Sequence, residues 1–260
     1  MSFTIDLEGR RALVTGAGQG VGRGIAHALA EAGAVVVVND IRAAQAEAVA
    51  EELRVAGGKA DALPFDVTNW TQVSEAIDGY GGVDILVNNA GNAGVDGFPD
   101  LSDFVTSDPA DWQRYFAVNL FGVMHCTRAA LPSMISSDWG RVVTIVSDAG
   151  RYGTSKVAPY AAAKAGAAGF CRSIAREVGR YAITVNCVSL STIETPTTAR
   201  PTAPTPEEEA ARRARMKPYV IRRRGTPDDV SGVVTFLASD RASWITGQTY
   251  AVNGGFHFSL

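Results

Sequence analysis

The sequence predicts an α/β fold, a single domain (1–260) built on a doubly wound parallel sheet, and three observations carry that prediction. Short β-branched runs recur along the chain without polar alternation, Ala-rich amphipathic stretches separate them, and no linker or internal repeat divides the 260 residues. Strands that read as continuous apolar runs are buried on both faces, and their alternation with helices places the helices on both sides of the sheet. A chain of this length holds such a fold as one unit.

The first strand is "RALVTG" (11–16) and the first helix follows in "RGIAHALAEAG" (23–33). "AVVVVND" (34–40) is the second strand, and "AAQAEAVAEELRVAGG" (43–58) is a helix stopped by Gly57-Gly58, since glycine takes the backbone that closes a helix C-terminus. "ADALPFDV" (60–67) is a weaker strand, because Pro64 has no N–H to give and belongs at an edge or a strand end. "VDILVNN" (83–89), "RVVTIVS" (141–147) and "ITVNCVS" (183–189) continue the series, and "TGQTYAVNGG" (246–255) is the last strand. "SDPADW" (107–112) opens a long helix, with a Ser or Asp cap and Pro109 in its first turn. The segment "STIETPTTARPTAPTPEEEAARRARMKPYVIRRRG" (191–225) departs from the rhythm: prolines and threonines come first, then a short charged helix. So long a loop in a compact domain points to a lid over a ligand, at about 191–217.

Composition excludes several classes. Net charge is −3, so no global field draws the chain to nucleic acid or to an anionic membrane. Cys126, Cys171 and Cys187 are odd in number and form no C-x-x-C pair, which argues against a disulfide framework and fits a reducing cytoplasm. His27, His125 and His257 have no metal-ligand spacing, so no metal is expected. "MSFTIDLEGRR" carries Asp6 and Glu8 where a signal peptide needs an apolar core, and no apolar run approaches the ~18 residues of a membrane span.

"TGAGQGVG" (15–22) lies between the first strand and the first helix. That is where a Rossmann-type sheet holds a pyrophosphate, its backbone N–H groups and the positive helix end facing the anion. The spacing is G-x-x-x-G-x-G, from Gly16, Gly20 and Gly22; Val21 stands where the commoner fingerprint has its third glycine. Alone, the motif is nearly balanced by a glycine turn that merely packs a helix on a strand. Asp40, just after the second strand, shifts the balance: an acidic side chain there hydrogen-bonds the adenosine ribose hydroxyls and repels a 2′-phosphate, favouring NAD over NADP. Arg42, two residues on, softens that preference. Asp66 is placed to meet the adenine edge, and "NNAG" (88–91) gives backbone room beside a cofactor, although either alone reads equally as a turn.

"APYAAAKAG" (158–166) sets Tyr160 and Lys164 at i and i+4 on one helix face. Roughly 0.1 such pairs arise by chance in a chain of this composition, so the pair is suggestive only. Ser147 ends the fifth strand thirteen positions before Tyr160, which puts both on the carboxyl side of the sheet, where open α/β folds bind ligands.

Gly16-x-x-x-Gly20-x-Gly22, Asn88-Asn89-Ala90-Gly91, Asn119, Ser147 and Tyr160-x-x-x-Lys164 together resemble the short-chain dehydrogenase/reductase family, from "ALVTGAGQGVG" to "ITGQTYAVNGG". The resemblance implies a catalytic set of Asn119, Ser147, Tyr160 and Lys164. It implies cofactor contacts from Gly16, Gly18, Gln19, Gly20, Val21, Gly22, Asp40, Ile41, Asp66, Val67, Asn89, Ala90, Gly91, Tyr160, Lys164, Ile193 and Thr195, and a homotetramer built through the helices of Asn119 and Tyr160. A phenol with its ordinary pKa of about 10 is a poor base at neutral pH; the ammonium of Lys164 and a positive nicotinamide favour its phenolate. For Asn119 the resemblance implies a water relay to Lys164, and a buried amide bracing the long helix is the other reading. Leu190-Ser191 replaces the Pro-Gly with which the family usually ends the sixth strand. Serine with a positive φ is strained, so a relaxed backbone with Leu190 in the pocket wall is expected.

"SDAGRYG" (147–153) is similar to members that oxidise hydroxyacyl-CoA thioesters, including alicyclic ones such as 2-hydroxycyclohexanecarboxyl-CoA. Arg151 and Leu190 are then candidate substrate contacts. Arg212, Arg213, Arg215 and Lys217 either meet CoA phosphates or pair with Glu207, Glu208 and Glu209 on a solvated helix. Reduction of 3-oxoacyl thioesters, steroids or sugars is the alternative, and a catalytically idle NAD-binding sensor or assembly protein is the rival from another class.

Overall fold

A computed structural model describes residues 4–91, 103–195 and 205–258. Seven strands form one sheet in the order β3-β2-β1-β4-β5-β6-β7, and every adjacent pair is parallel. The strands are β1 (Arg11–Val14), β2 (Val35–Val38), β3 (Lys59–Ala62), β4 (Ile85–Asn88), β5 (Gly140–Ser147), β6 (Ile183–Leu190) and β7 (Thr249–Val252). The chain steps outward from β1 to β3, then returns to place β4 on the other side of β1. That reversal opens a crevice at the carboxyl ends of β1 and β4.

The helices are α1 (Gly20–Glu31), α2 (Ala43–Val55), α3 (Trp70–Gly79), α4 (Pro109–Phe116), α5 (Gly122–Ser136), α6 (Ala149–Tyr152), α7 (Ala158–Val178), α8 (Pro206–Met216) and α9 (Pro227–Leu237). Alternate strand residues point to opposite faces, which yields two cores. Val14, Val36, Val87 and Val143 pack with Leu29 of α1, Leu53 of α2 and Val234 of α9. Leu13, Val37, Leu86 and Val142 pack with Ile77 of α3, Met134 of α5 and Cys171 of α7. No helix among the described residues is long and apolar enough to cross a membrane.

Asp108 caps α4, its carboxylate accepting from Ala110 N at 2.8 Å, with Pro109 in the first turn as the sequence predicts. Between α4 and α5 the helix widens into a π-turn over Ala117–Phe121, which the sequence did not signal. Several element ends differ from expectation. β3 stops at Ala62, before Pro64, so Asp66 lies in a loop, where Asn39 Nδ2 holds the carbonyls of Leu63 and Phe65 at 3.1 Å each. β7 covers only Thr249–Val252. β6 runs one residue further than predicted, with Leu190 paired between Ser147 and Val252. In the expected lid, α8 is the charged helix, opened by a reciprocal Thr205–Glu208 cap; positions 196–204 lie outside the described residues.

Candidate active site

The turn after β1 requires glycine. Gly16 has φ +62°, and a Cβ there would lie 2.9 Å from Ala90 Cα, a distance no side chain tolerates. The neighbouring strand end clamps the turn. Asn89 Nδ2 donates to the carbonyls of Thr15 (2.9 Å) and Gly16 (3.0 Å), while Thr15 Oγ1 accepts from the N–H groups of Asn89 and Ala90 at 3.0 Å each. Gln19 is the N-cap of α1 and its side chain makes no capping bond, which leaves the first N–H groups of that helix for an anion.

Asp40 is 5% exposed. One carboxylate oxygen accepts from Gly18 N at 3.2 Å; the other accepts from Arg42 N at 3.0 Å and faces Arg42 Nε at 3.5 Å. Asp66 turns its carboxylate to Thr68 N and Oγ1, at 2.9 and 2.8 Å. Of the residues expected at a cofactor, Gly16, Gln19, Asp40, Ile41, Asp66, Val67, Asn89, Ala90 and Gly91 line one cleft of about 300 Å³. Val21, Asn89, Gly91, Tyr160, Lys164 and Ile193 line an adjoining cavity of about 630 Å³. Gly18, Gly20 and Thr195 border a groove beside the α1 N-terminus, and Gly22 packs under Asn89. A glycine cradle, an open helix end and a buried acceptor for hydroxyls fit a dinucleotide.

The four residues expected to act together do converge. Ser147 ends β5 and its hydroxyl is hydrogen-bonded to the Tyr160 phenol. Lys164, one turn along α7 from Tyr160, is 5% exposed; its Nζ donates to the Ile145 carbonyl at 2.9 Å and lies 6.0 Å from the Tyr160 ring centre. Asn119 sits in the π-turn, fully buried, its Nδ2 donating to the Tyr115 carbonyl at 3.0 Å. A Cβ built on Gly91 would lie 2.8 Å from Lys164 Nζ and 2.9 Å from Asn119 Oδ1. The end of β4, the π-turn and α7 therefore meet at one point, and only glycine leaves room there.

Burial sets the protonation of this cluster. It pulls the Lys164 ammonium down to about 8, because desolvation disfavours the charged form. It also pushes the Tyr160 phenol up, offset in part by the hydrogen bond from Ser147. Desolvation is the larger of the two effects on the phenol.

Leu190 lines the larger cavity and is 8% exposed. Ser191 has no positive φ, so the backbone is relaxed where Pro-Gly is replaced. The serine hydroxyl bonds the Tyr219 phenol at 2.6 Å, and that phenol donates to Thr192 Oγ1 at 3.0 Å. This hydroxyl cluster ties the segment after α8 to the end of β6.

Arg151 does not go where expected. It is not among the residues lining the cavity; its guanidinium turns to Asp148, 3.9 Å away and three residues back on the same short helical turn. Asp148 is 2% exposed and also accepts from Ser189 Oγ and Asn253 Nδ2, each at 2.6 Å. A buried carboxylate draws the nearest cation, which is the physical reason for the correction. Of the lid cations, Arg212 and Arg213 pair with Glu209 (2.9 and 3.5 Å), while Arg215 lines the cavity. Lys217 is exposed and is not among the lining residues.

Asp148, Tyr152, Tyr219, Arg224 and Phe256 were missed by sequence reasoning. A lone acid directly after an apolar strand was a signal for Asp148; nothing local marks the others as cavity residues.

A family model described as enoyl-(acyl carrier protein) reductase matches residues 16–257. The BbsD subunit of a hydroxy(phenyl)methylsuccinyl-CoA dehydrogenase from Thauera aromatica is 37% identical over 253 residues, 96% of this chain and 97% of that one. A gluconate 5-dehydrogenase from Burkholderia cenocepacia, solved with NADP and tartrate, superposes with a TM-score of 0.87 at 33% identity, covering 98% of each chain. A 3-oxoacyl-(acyl-carrier protein) reductase from Brucella melitensis, solved with NAD, gives 0.86 at 34% identity, covering 98% of this chain and 93% of that one. Joined to the converging Ser147, Tyr160 and Lys164, these likenesses show that the chain belongs to the short-chain dehydrogenase/reductase family and is an NAD(P)-dependent oxidoreductase.

Proposed function

We propose that the protein is an NAD-dependent dehydrogenase interconverting a secondary alcohol and a ketone on a hydroxyacyl-CoA-type or alicyclic substrate. The observation that carries this reading is the convergence of Ser147, Tyr160 and Lys164 on one cavity that adjoins the glycine-turn cleft. The nicotinamide, when bound, supplies the hydride acceptor for oxidation and the donor for reduction. Tyr160 takes the hydroxyl proton during oxidation and returns it during reduction. The Ser147 hydroxyl holds the substrate oxygen in the same hydrogen bond it now makes to the phenol. Lys164 lowers the cost of the phenolate by its charge and would hold the cofactor ribose. Asn119, at the same point as Lys164, would seat a water between the cluster and solvent.

Gly16, Gln19, Gly20 and Asn89 would hold the pyrophosphate turn, and Asp40 the adenosine ribose. The carboxylate of Asp40 supports NAD, because a 2′-phosphate would approach a buried negative charge. Asp40→Ser is expected to narrow the preference for NAD over NADP by about tenfold, the worth of ~1.4 kcal/mol of repulsion; fluorescence titration with both cofactors reads it, and a wild type that binds NADP more tightly overturns the assignment. The acyl-CoA reading draws support from the relative that acts on a phenyl-substituted succinyl-CoA. Reduction of 3-oxoacyl thioesters has a specific counterpart in the NAD-bound Brucella melitensis structure. The test is a panel of cyclic and linear hydroxyacyl-CoAs, steroids and polyols assayed with NAD and NADP at the reduced-nicotinamide band. Turnover of a hydroxyacyl thioester with NAD supports the reading; polyol or steroid oxidation alone removes the substrate class, and cofactor binding without turnover of any substrate supports the idle protein.

Chain 1–260 acts in this reading as one catalytic unit with a lid at 191–217. A homotetramer is the proposed assembly, supported by Phe121 (47% exposed) of the π-turn and Met124 (37%) of α5, and sedimentation velocity tests it. The three free, buried thiols fit a cytoplasmic setting.

A further inference from the structure

The larger cavity has two unlike features. The first is an aromatic wall drawn from three parts of the chain: Tyr152 of α6, Tyr219 after α8, and Phe256 after β7. Tyr152 meets Phe256 edge to face at 5.3 Å between ring centres, and Tyr219 meets Phe256 at 4.8 Å. The hydroxyls near this wall are already engaged with one another: Ser191 with Tyr219, Tyr219 with Thr192, and Thr154 with Tyr152 at 3.4 Å. A polyol in contact with these rings leaves hydroxyls without partners, which is costly, whereas an apolar ring packs on them favourably.

The second feature is charge. Asp148, Lys164, Arg215 and Arg224 are the charged lining residues, in a protein whose net charge is −3. Asp148 has both oxygens taken by Ser189 and Asn253, and Lys164 is bonded to the Ile145 carbonyl. Arg224 has a partner of its own. On α8, Arg212 and Arg213 share Glu209. Among the described residues Arg215 makes no hydrogen bond or ion pair, and it stands at the cavity beside the buried Met216. A guanidinium fork is complementary to a carboxylate or phosphate through two parallel hydrogen bonds.

We propose that this cavity selects a substrate with a compact apolar ring and a separate oxyanion, and that Arg215 is the residue that meets the oxyanion. The inference rests on the dehydrogenase reading of the same cavity and names its substrate class. A carboxylate on the ring and a phosphate of a CoA arm offer Arg215 the same chemistry, and the choice of probes tells them apart.

Four matched probes are assayed with NAD: cyclohexanol, 2-hydroxycyclohexanecarboxylate, its CoA thioester, and its N-acetylcysteamine thioester, which lacks the nucleotide. Arg215→Ala is expected to lower the selectivity for an oxyanion-bearing probe over cyclohexanol at least tenfold, through KM more than kcat, with Arg215→Lys recovering part of it. A loss confined to the free carboxylate identifies a carboxylate, and a loss confined to the CoA thioester identifies a phosphate; either supports the proposal. Arg213→Ala, on the same helix and paired with Glu209, is the control and keeps the selectivity. Calorimetric binding of the same acid and CoA thioester to the NADH-loaded protein separates this proposal from the dehydrogenase reading: tenfold weaker binding to Arg215→Ala in a protein without turnover supports the arginine and removes the chemistry. Selectivity and binding within twofold of wild type in Arg215→Ala overturn the proposal. Phe256→Ala is expected to reduce the preference for cyclic over linear hydroxyacyl probes about fivefold; an unchanged preference removes the aromatic wall from it.

Discussion

The cleft at β1 and β4 and the cavity at β5 and β6 share Asn89 and Gly91, yet they are assembled by different means. The first is made of backbone. Gly16, the open end of α1 and the Asn89 clamp shape it, and its one buried charge, Asp40, accepts from the backbone N–H groups of Gly18 and Arg42. The second is made of side chains carried there from distant segments: Asp148 is held by Asn253, Tyr219 by Ser191, and Phe256 packs on Tyr152. A backbone-built cleft serves any member of a family that uses one cofactor. A cavity of remote side chains is free to vary, and substrate choice resides there.

The largest expected effect falls on the proton-transfer residue proposed for the second region, Tyr160. Tyr160→Phe should lower kcat by at least about 1000-fold, while the dissociation constant of NAD stays within a few fold; steady-state rates and a fluorescence titration read the two. Substantial kcat in this variant would return the tyrosine to a structural role. Gly91→Ala should come next, with about 100-fold lower kcat/KM, since a misplacement of about 1 Å in a catalytic group costs that much. Its methyl enters a space 2.8 Å from Lys164 Nζ and 2.9 Å from Asn119 Oδ1. A crystal structure of the variant with Lys164 undisturbed and full activity would show that the convergence has no catalytic consequence.

Lys164→Met separates stability from activity. Burial lowers the lysine from 10.5 to about 8, so between those values the unfolded chain binds more protons and native stability rises with pH. Below about 8 the penalty is present in full, about 3 kcal/mol at 1.36 kcal/mol per pKa unit. Loss of the bond to the Ile145 carbonyl offsets part of the gain. The methionine variant should be inactive, yet melt about 3–6 °C above wild type at pH 7, with the gap closing as pH approaches 10.5. A lower Tm at pH 7 would mean that the ammonium is well solvated or well paired in the fold. Smallest is Ser191→Ala, which frees the Tyr219 phenol from a 2.6 Å bond. Net loss of one hydrogen bond is worth about 1 kcal/mol, so a substrate KM about fivefold higher is expected while NAD affinity holds. Equal changes in both would erase the division between the two regions.

What was legible follows the same division. The glycine turn, Asp40, "NNAG" and the Tyr160–Lys164 pair are marked by residue type and short spacing, because local backbone geometry demands those types. The strands, whose β-branched runs face helices on both sides, were legible for the same reason. The direction of Arg151 was not, since it depends on Asp148 being buried by Ser189 and Asn253, the latter 105 residues away. The π-turn at Asn119 carries no composition signal; it adds one residue to a helical turn and so turns the amide toward Gly91. At Leu190-Ser191 the missing glycine was visible and an altered wall followed from it, whereas Tyr219, which the serine hydroxyl bonds, was not legible.

In the proposed reaction hydride and proton leave the same alcohol in this cavity, the proton to Tyr160. Its most direct measurement supplies NAD and a cyclic hydroxyacyl-CoA deuterated at the carbinol carbon, and analyses the reduced cofactor by mass spectrometry and NMR. One deuterium at nicotinamide C4 is expected with wild type and almost none in the same interval with Tyr160→Phe. Reduced cofactor without label, or equal label from the phenylalanine variant, would contradict it.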